Sequence, residues 1–139
     1  MRDKDKFRGC LVGGAAGDAL GYAVEFMSEE SIFRKYSSTG IRNFVLSDGA
    51  ALISDDTQMT LFTAEGLLEC RDGDYAKSIN AAYLNWLETQ RQIYPLRILH
   101  APSWLMHIER LYARRAPGNA CLFALRSGGN GSQIGRAHV

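Results

Sequence analysis

The residues best suited to chemistry are concentrated in Ile53-Ser54-Asp55-Asp56-Thr57-Gln58-Met59-Thr60-Leu61. Two adjacent carboxylates lie between hydroxyl residues, and an apolar run follows. Ser, Asp and Thr in this position read as the start of a helix, since their side-chain oxygens bond the orphan N–H groups of a first turn. The helix dipole also favours negative charge there. One Asp would satisfy that role; a second adds repulsion unless a cation or a set of donors offsets it. Oxygen donors packed into three consecutive residues suit Mg²⁺ or Ca²⁺ rather than zinc. Two further acids, Asp18 and Glu25, interrupt an otherwise apolar segment; one reads as a structural hydrogen-bond acceptor and the other as a site candidate. A carboxylate among apolar neighbours is costly unless it is hydrogen-bonded, paired or bound to metal.

These residues need helices to position them. From Phe7 to Phe26 the spacing predicts one helix, with Phe7, Cys10, Leu11, Gly14 and Ala15 on one face. Gly9, Gly13, Gly17 and Gly21 recur every fourth residue, so they would form a stripe open to close approach by a backbone or ligand. If that helix runs through residue 25, Asp18 and Glu25 are two turns apart on one side. The stripe does not match a phosphate-binding loop, since no Gly-Lys-Ser/Thr follows. A short helix is expected over Glu29–Tyr36, a turn over Ser37–Gly40, and another turn at Ser47-Asp48-Gly49. From Asp55 to Cys70 apolar residues occupy several faces, which predicts a buried helix. Ile79, Ala82, Tyr83, Trp86 and Leu87 form the apolar stripe of a further helix, and Trp104, Leu105, Ile108, Leu111 and Tyr112 that of another, with Ser103 as its cap. A last helix covers Ala120–Arg126. The fold class is all-α, a buried central helix pair with amphipathic helices around it.

The motifs together resemble the ADP-ribosylglycohydrolase family, the relatives of dinitrogenase reductase-activating glycohydrolase. The resemblance lies in Gly13-Gly14-Ala15-Ala16-Gly17-Asp18-Ala19-Leu20-Gly21 with Glu25-Phe26, in Ser54-Asp55-Asp56-Thr57-Gln58-Met59-Thr60, in Trp86-Leu87-Glu88-Thr89-Gln90, and in Arg115-Ala116-Pro117-Gly118-Asn119-Ala120-Cys121. It implies a compact orthogonal helical bundle holding two Mg²⁺ ions in a cleft. It also implies hydrolysis of the glycosidic bond between ADP-ribose and a protein side chain or small molecule. By that resemblance Ser54, Asp55 and Asp56 are metal ligands, Glu25 and Asp56 are catalytic, and Asp18 supports helix packing. The family's second metal motif, Asp-x-Asp-Thr/Ser, has no counterpart in these residues. Residues 1–133 are therefore expected to be the N-terminal part of one such domain and to be inactive alone. Residues 134–139 resemble a translated sequencing adapter and are expected to be non-native. A non-catalytic, crystallin-like relative that binds ADP-ribose is the alternative.

Composition is consistent with this reading. The chain has 139 residues, 46% hydrophobic and 22% charged, with a net charge of +1. That is the balance of an ordinary globular domain and gives no electrostatic reason to expect nucleic acid or an anionic membrane as partner. No apolar run approaches the ~20 residues that span a bilayer. Cys10, Cys70 and Cys121 are odd in number and widely spaced, which suits a reducing cytoplasm, with each thiol a small core residue. His100, His107 and His138 lack a second ligand at metal spacing and receive no role.

Overall fold

The computed structural model describes residues 3–96 and 102–128. The expectations for His100, His138 and residues 134–139 fall outside them. Among the described residues the chain is helical, with one two-stranded hairpin: α1 (Lys4–Tyr22), α2 (Glu29–Lys35), β1 (Leu46–Ser47), β2 (Ala50–Ala51), α3 (Asp55–Glu69), α4 (Tyr75–Arg91) and α5 (Asn119–Arg126). The all-α expectation holds. No helix among the described residues is long and apolar enough to cross a membrane. The chain divides into two compact units, Met1–Thr57 and Gln58–Val139.

In the first unit, Asp3 opens α1 by accepting the Asp5 and Lys6 amides at 3.1 and 3.4 Å, as an N-cap carboxylate commonly does. The helix stops at Tyr22, earlier than its apolar pattern suggests, and turns follow in which Val24 N–H donates to Gly21 O at 2.9 Å. Glu25 therefore lies beyond the helix, and the two-turn spacing to Asp18 is not what relates them. Of α1 only Ala19 is buried, and Cys10 is exposed rather than part of a core. A Cβ added at Gly9, Gly13, Gly17 or Gly21 would meet nothing within 4 Å, so no described group makes the expected close approach. Ser28 caps α2, which carries Glu29 and Glu30 in its first turn and Arg34 and Lys35 in its last, the order the helix dipole favours. Asp48 and Gly49 follow with φ of 50° and 78°. Two successive positive φ values define the tight turn whose twist matches an antiparallel hairpin, and Leu46 pairs with Ala51 across it.

In the second unit α4 buries Ala82, Trp86 and Leu87, as its stripe predicts. They pack with Phe62 of α3, with Leu105 and Leu111, and with Leu122 and Leu125 of α5. Each fully buried side chain of this size contributes about 1.5–3 kcal/mol. A polar network crosses the same core. Gln58, fully buried, accepts from Trp86 Nε1 and Gln90 Nε2 at 3.1 Å each and donates to Ala113 O at 2.9 Å. Gln90 also donates to Leu111 O at 3.2 Å. Glu65 and Ser103, both buried, are joined by 2.7 Å hydrogen bonds from the serine hydroxyl to the carboxylate.

The single helix expected over Trp104–Tyr112 is instead two 3-10 helices, Trp104–His107 and Glu109–Tyr112, separated at Ile108. The Tyr112 hydroxyl donates to Met106 O at 2.7 Å, and that carbonyl is the one an α-helix would present to residue 110. Ser103 still caps the segment by accepting the Leu105 amide at 3.2 Å, and Leu105 and Leu111 still face the core.

Helices α3 and α4 meet at Gly66, where an added Cβ would lie 2.7 Å from Ile79 Cα. Gly66→Ala should lower the unfolding free energy by about 1–3 kcal/mol, the range for forced overpacking. Gln58→Leu strands the Trp86 N–H and the Ala113 carbonyl and should cost about 2–6 kcal/mol, from roughly 1–3 for each orphaned group. Urea denaturation followed by tryptophan fluorescence measures both.

Candidate functional site

The site residues belong to the first unit and come from three places: α1, the turns after it, and the first turn of α3. Ser54 immediately precedes α3 and is buried, and its Oγ accepts the Asp56 amide at 3.1 Å. This is the N-cap expected from sequence. Asp55 is also buried, 8% exposed, whereas Asp56 is exposed. The two neighbouring acids thus meet different surroundings.

Asp18 is the residue that reaches across to this turn. Its Oδ2 accepts the Ser54 amide at 2.9 Å and also the hydroxyl of Thr57. These bonds tie α1 to the acidic turn, so Asp18 is the structural hydrogen-bond acceptor expected of one of the two acids in its segment. Thr57 is the participant that sequence reasoning overlooked. Its signal was position: it is the third residue of the helix, where a side chain commonly takes part in capping.

Glu25 stays solvent-exposed, yet its carboxyl is pushed above the ordinary value of 4.5. Partial desolvation is the largest cause, followed by the negative charges of Asp55, Asp56 and Asp18. Four acids from distant positions therefore share one electrostatic environment. His107, in contrast, is exposed in the second unit.

The donors of this turn are a serine hydroxyl and carboxylates, with no imidazole or thiolate, which fits a hard cation such as Mg²⁺. The fit is partial. Among the described residues no group of three or more His, Cys, Asp or Glu side chains is arranged to hold an ion, while Mg²⁺ takes six ligands. Ser54, Asp55 and Asp56 can furnish one side of such a shell, with water or further ligands completing it.

The Glu25 shift has a definite consequence for stability. Between 4.5 and its raised value, the folded chain holds a proton that the unfolded chain has lost, so stability falls as pH rises through that window. Glu25→Gln should remove this loss and melt higher than the wild type at neutral pH without divalent ions. Thermal melts across pH in the presence of EDTA check this, and equal pH slopes in the two proteins would contradict it.

Comparison with known proteins agrees with the motifs. The profile of the ADP-ribosylglycohydrolase family matches residues 1–138. A protein of Archaeoglobus fulgidus, described as uncharacterized, is 40% identical over 70 residues, which are 48% of this chain and 22% of that protein. The chain thus spans well under two thirds of that relative's length. No solved structure gives a significant match. With the family profile covering nearly every residue, the chain belongs to the ADP-ribosylglycohydrolase family.

Proposed function

We propose that this chain supplies the first metal-binding turn and the acid/base group of a Mg²⁺-dependent hydrolase. Its substrates are ADP-ribose conjugates, in which a glycosidic bond links the ribose to a protein side chain or a small molecule. The observation that carries this reading is the Ser54-Asp55-Asp56 turn with Glu25 held in its field. Ser54, Asp55 and Asp56 would hold the ion. When bound, Mg²⁺ would supply positive charge that orients the ribose hydroxyls and lowers the cost of deprotonating water.

The chain's own groups account for the rest. Cleavage at an anomeric carbon passes through an oxocarbenium-like state, and the carboxylates of Asp55 and Asp56 would offer negative charge to that developing cation. A Glu25 carboxyl with raised proton affinity is suited to protonating the departing group. The exposed Asp56 carboxylate would take the proton of the attacking water. Bond breakage at the anomeric carbon then ends with one proton on the acceptor and a hydroxyl on the ribose. Because the described donors furnish only part of an octahedral shell, the 139-residue chain by itself is expected to turn over substrate poorly.

Mg²⁺ binding is testable apart from turnover. Saturation at about tenfold over Kd should raise the melting temperature by roughly 3–6 °C. EDTA should reverse the shift, and Asp55→Ala should abolish it. A wild-type melting temperature that does not respond to Mg²⁺ would overturn the metal assignment.

A further inference from the structure

We infer that Asp18 is the positioning residue of this site: its single Oδ2 fastens both ends of the first turn of α3 and so sets the direction in which the Asp55-Asp56 pair is presented. The inference rests on the reading of that turn as a cation site. Its observations are the two hydrogen bonds, one to the Ser54 amide and one to the Thr57 hydroxyl, spanning 36 and 39 residues of sequence.

The geometry completes a capping arrangement that the local sequence leaves unfinished. In a capping box the N-cap hydroxyl bonds an amide of the first turn, while a Glu or Gln three residues on bonds the N-cap's own amide. Here Ser54 performs the first half on Asp56. The residue three positions on is Thr57, whose side chain is too short to reach back as a Glu or Gln does. Asp18, arriving from α1, takes the Ser54 amide in its place and takes the Thr57 hydroxyl with the same oxygen. The turn is then held at its entry and at its third residue, and cannot rotate about the helix axis without breaking one bond. An ionised acceptor makes hydrogen bonds roughly twice as strong as neutral ones, which explains a carboxylate rather than an amide at this position. That carboxylate also adds negative charge beside Asp55 and Asp56. A purely structural clamp gains nothing from the added repulsion, whereas a site that receives a cation does.

Two measurements on the 139-residue chain test the inference. Amide exchange by NMR, without metal, should show Ser54 N–H exchanging at least about tenfold faster in Asp18→Ala, with the amides of Trp86–Gln90 unchanged. Mn²⁺ titration followed by electron paramagnetic resonance should show affinity weakened about 10–100-fold in Asp18→Ala. Asp18→Asn should be intermediate, Thr57→Val weakened, and Thr57→Ser, which keeps the hydroxyl, close to wild type. Unchanged Ser54 exchange in Asp18→Ala, or Mn²⁺ affinity within twofold of wild type, overturns the inference. If Asp18→Ala loses protection throughout the chain, Thr57→Val decides: wild-type affinity in that folded variant overturns it, and weakened affinity restored in Thr57→Ser supports it. Absence of Mn²⁺ binding by the wild type, with Ser54 still released in Asp18→Ala, overturns the cation reading instead and leaves Asp18 as a clamp on the turn.

Discussion

Negative charge gathered at the start of α3 is the constraint around which the first unit is built. Two carboxylates about 6 Å apart repel by roughly 3 kcal/mol at an effective dielectric near 20. A helix N-terminus returns only about 0.3–1 kcal/mol per charge. The dipole alone therefore does not account for Asp55, Asp56 and Asp18 together with Glu25. The chain answers part of the deficit with hydrogen bonds, from the Ser54 amide and the Thr57 hydroxyl to Asp18. Another part appears as the raised proton affinity of Glu25. What is left is an environment that a divalent cation would relieve.

Helix α3 carries two kinds of residue within a few positions. Its first turn holds the acids, and from Gln58 onward it enters a core of Phe62, Trp86 and Leu105. Gln58 marks the change. A fully buried amide in such a core is tolerable only with its partners made, and Trp86, Gln90 and Ala113 provide them. Residues that look like one motif in the sequence thus serve two different ends. Ser54 to Thr57 form the hydrogen-bonded turn of the candidate site, while Gln58, Trp86 and Gln90 lock the core.

The places where structure departed from expectation share a cause. Apolar periodicity reports which face a residue occupies, and it reported correctly that Leu105 and Leu111 lie together in the core. It does not report the hydrogen bonds that keep the backbone on that face, so one α-helix was expected where two 3-10 segments stand. The same limit applies to α1, which stops at Tyr22 although apolar residues continue. The glycine stripe is a separate case. Glycine at every fourth position permits a close approach but does not supply the group that makes it, and the described residues contain none.

Much of this protein was set by residues acting on near neighbours. Helical class, the caps at Ser54 and Ser103, the Asp48-Gly49 turn and the apolar stripe of α4 all depend on interactions within a few positions, and such interactions are written directly in residue order. Tertiary structure decided the rest. That Asp18 would bind Ser54 and Thr57, that Glu25 would feel Asp55 and Asp56, and that Glu65 would meet Ser103 all require segments tens of residues apart to converge. Electrostatic and hydrogen-bond partners are chosen by distance in space, and no local pattern encodes that distance.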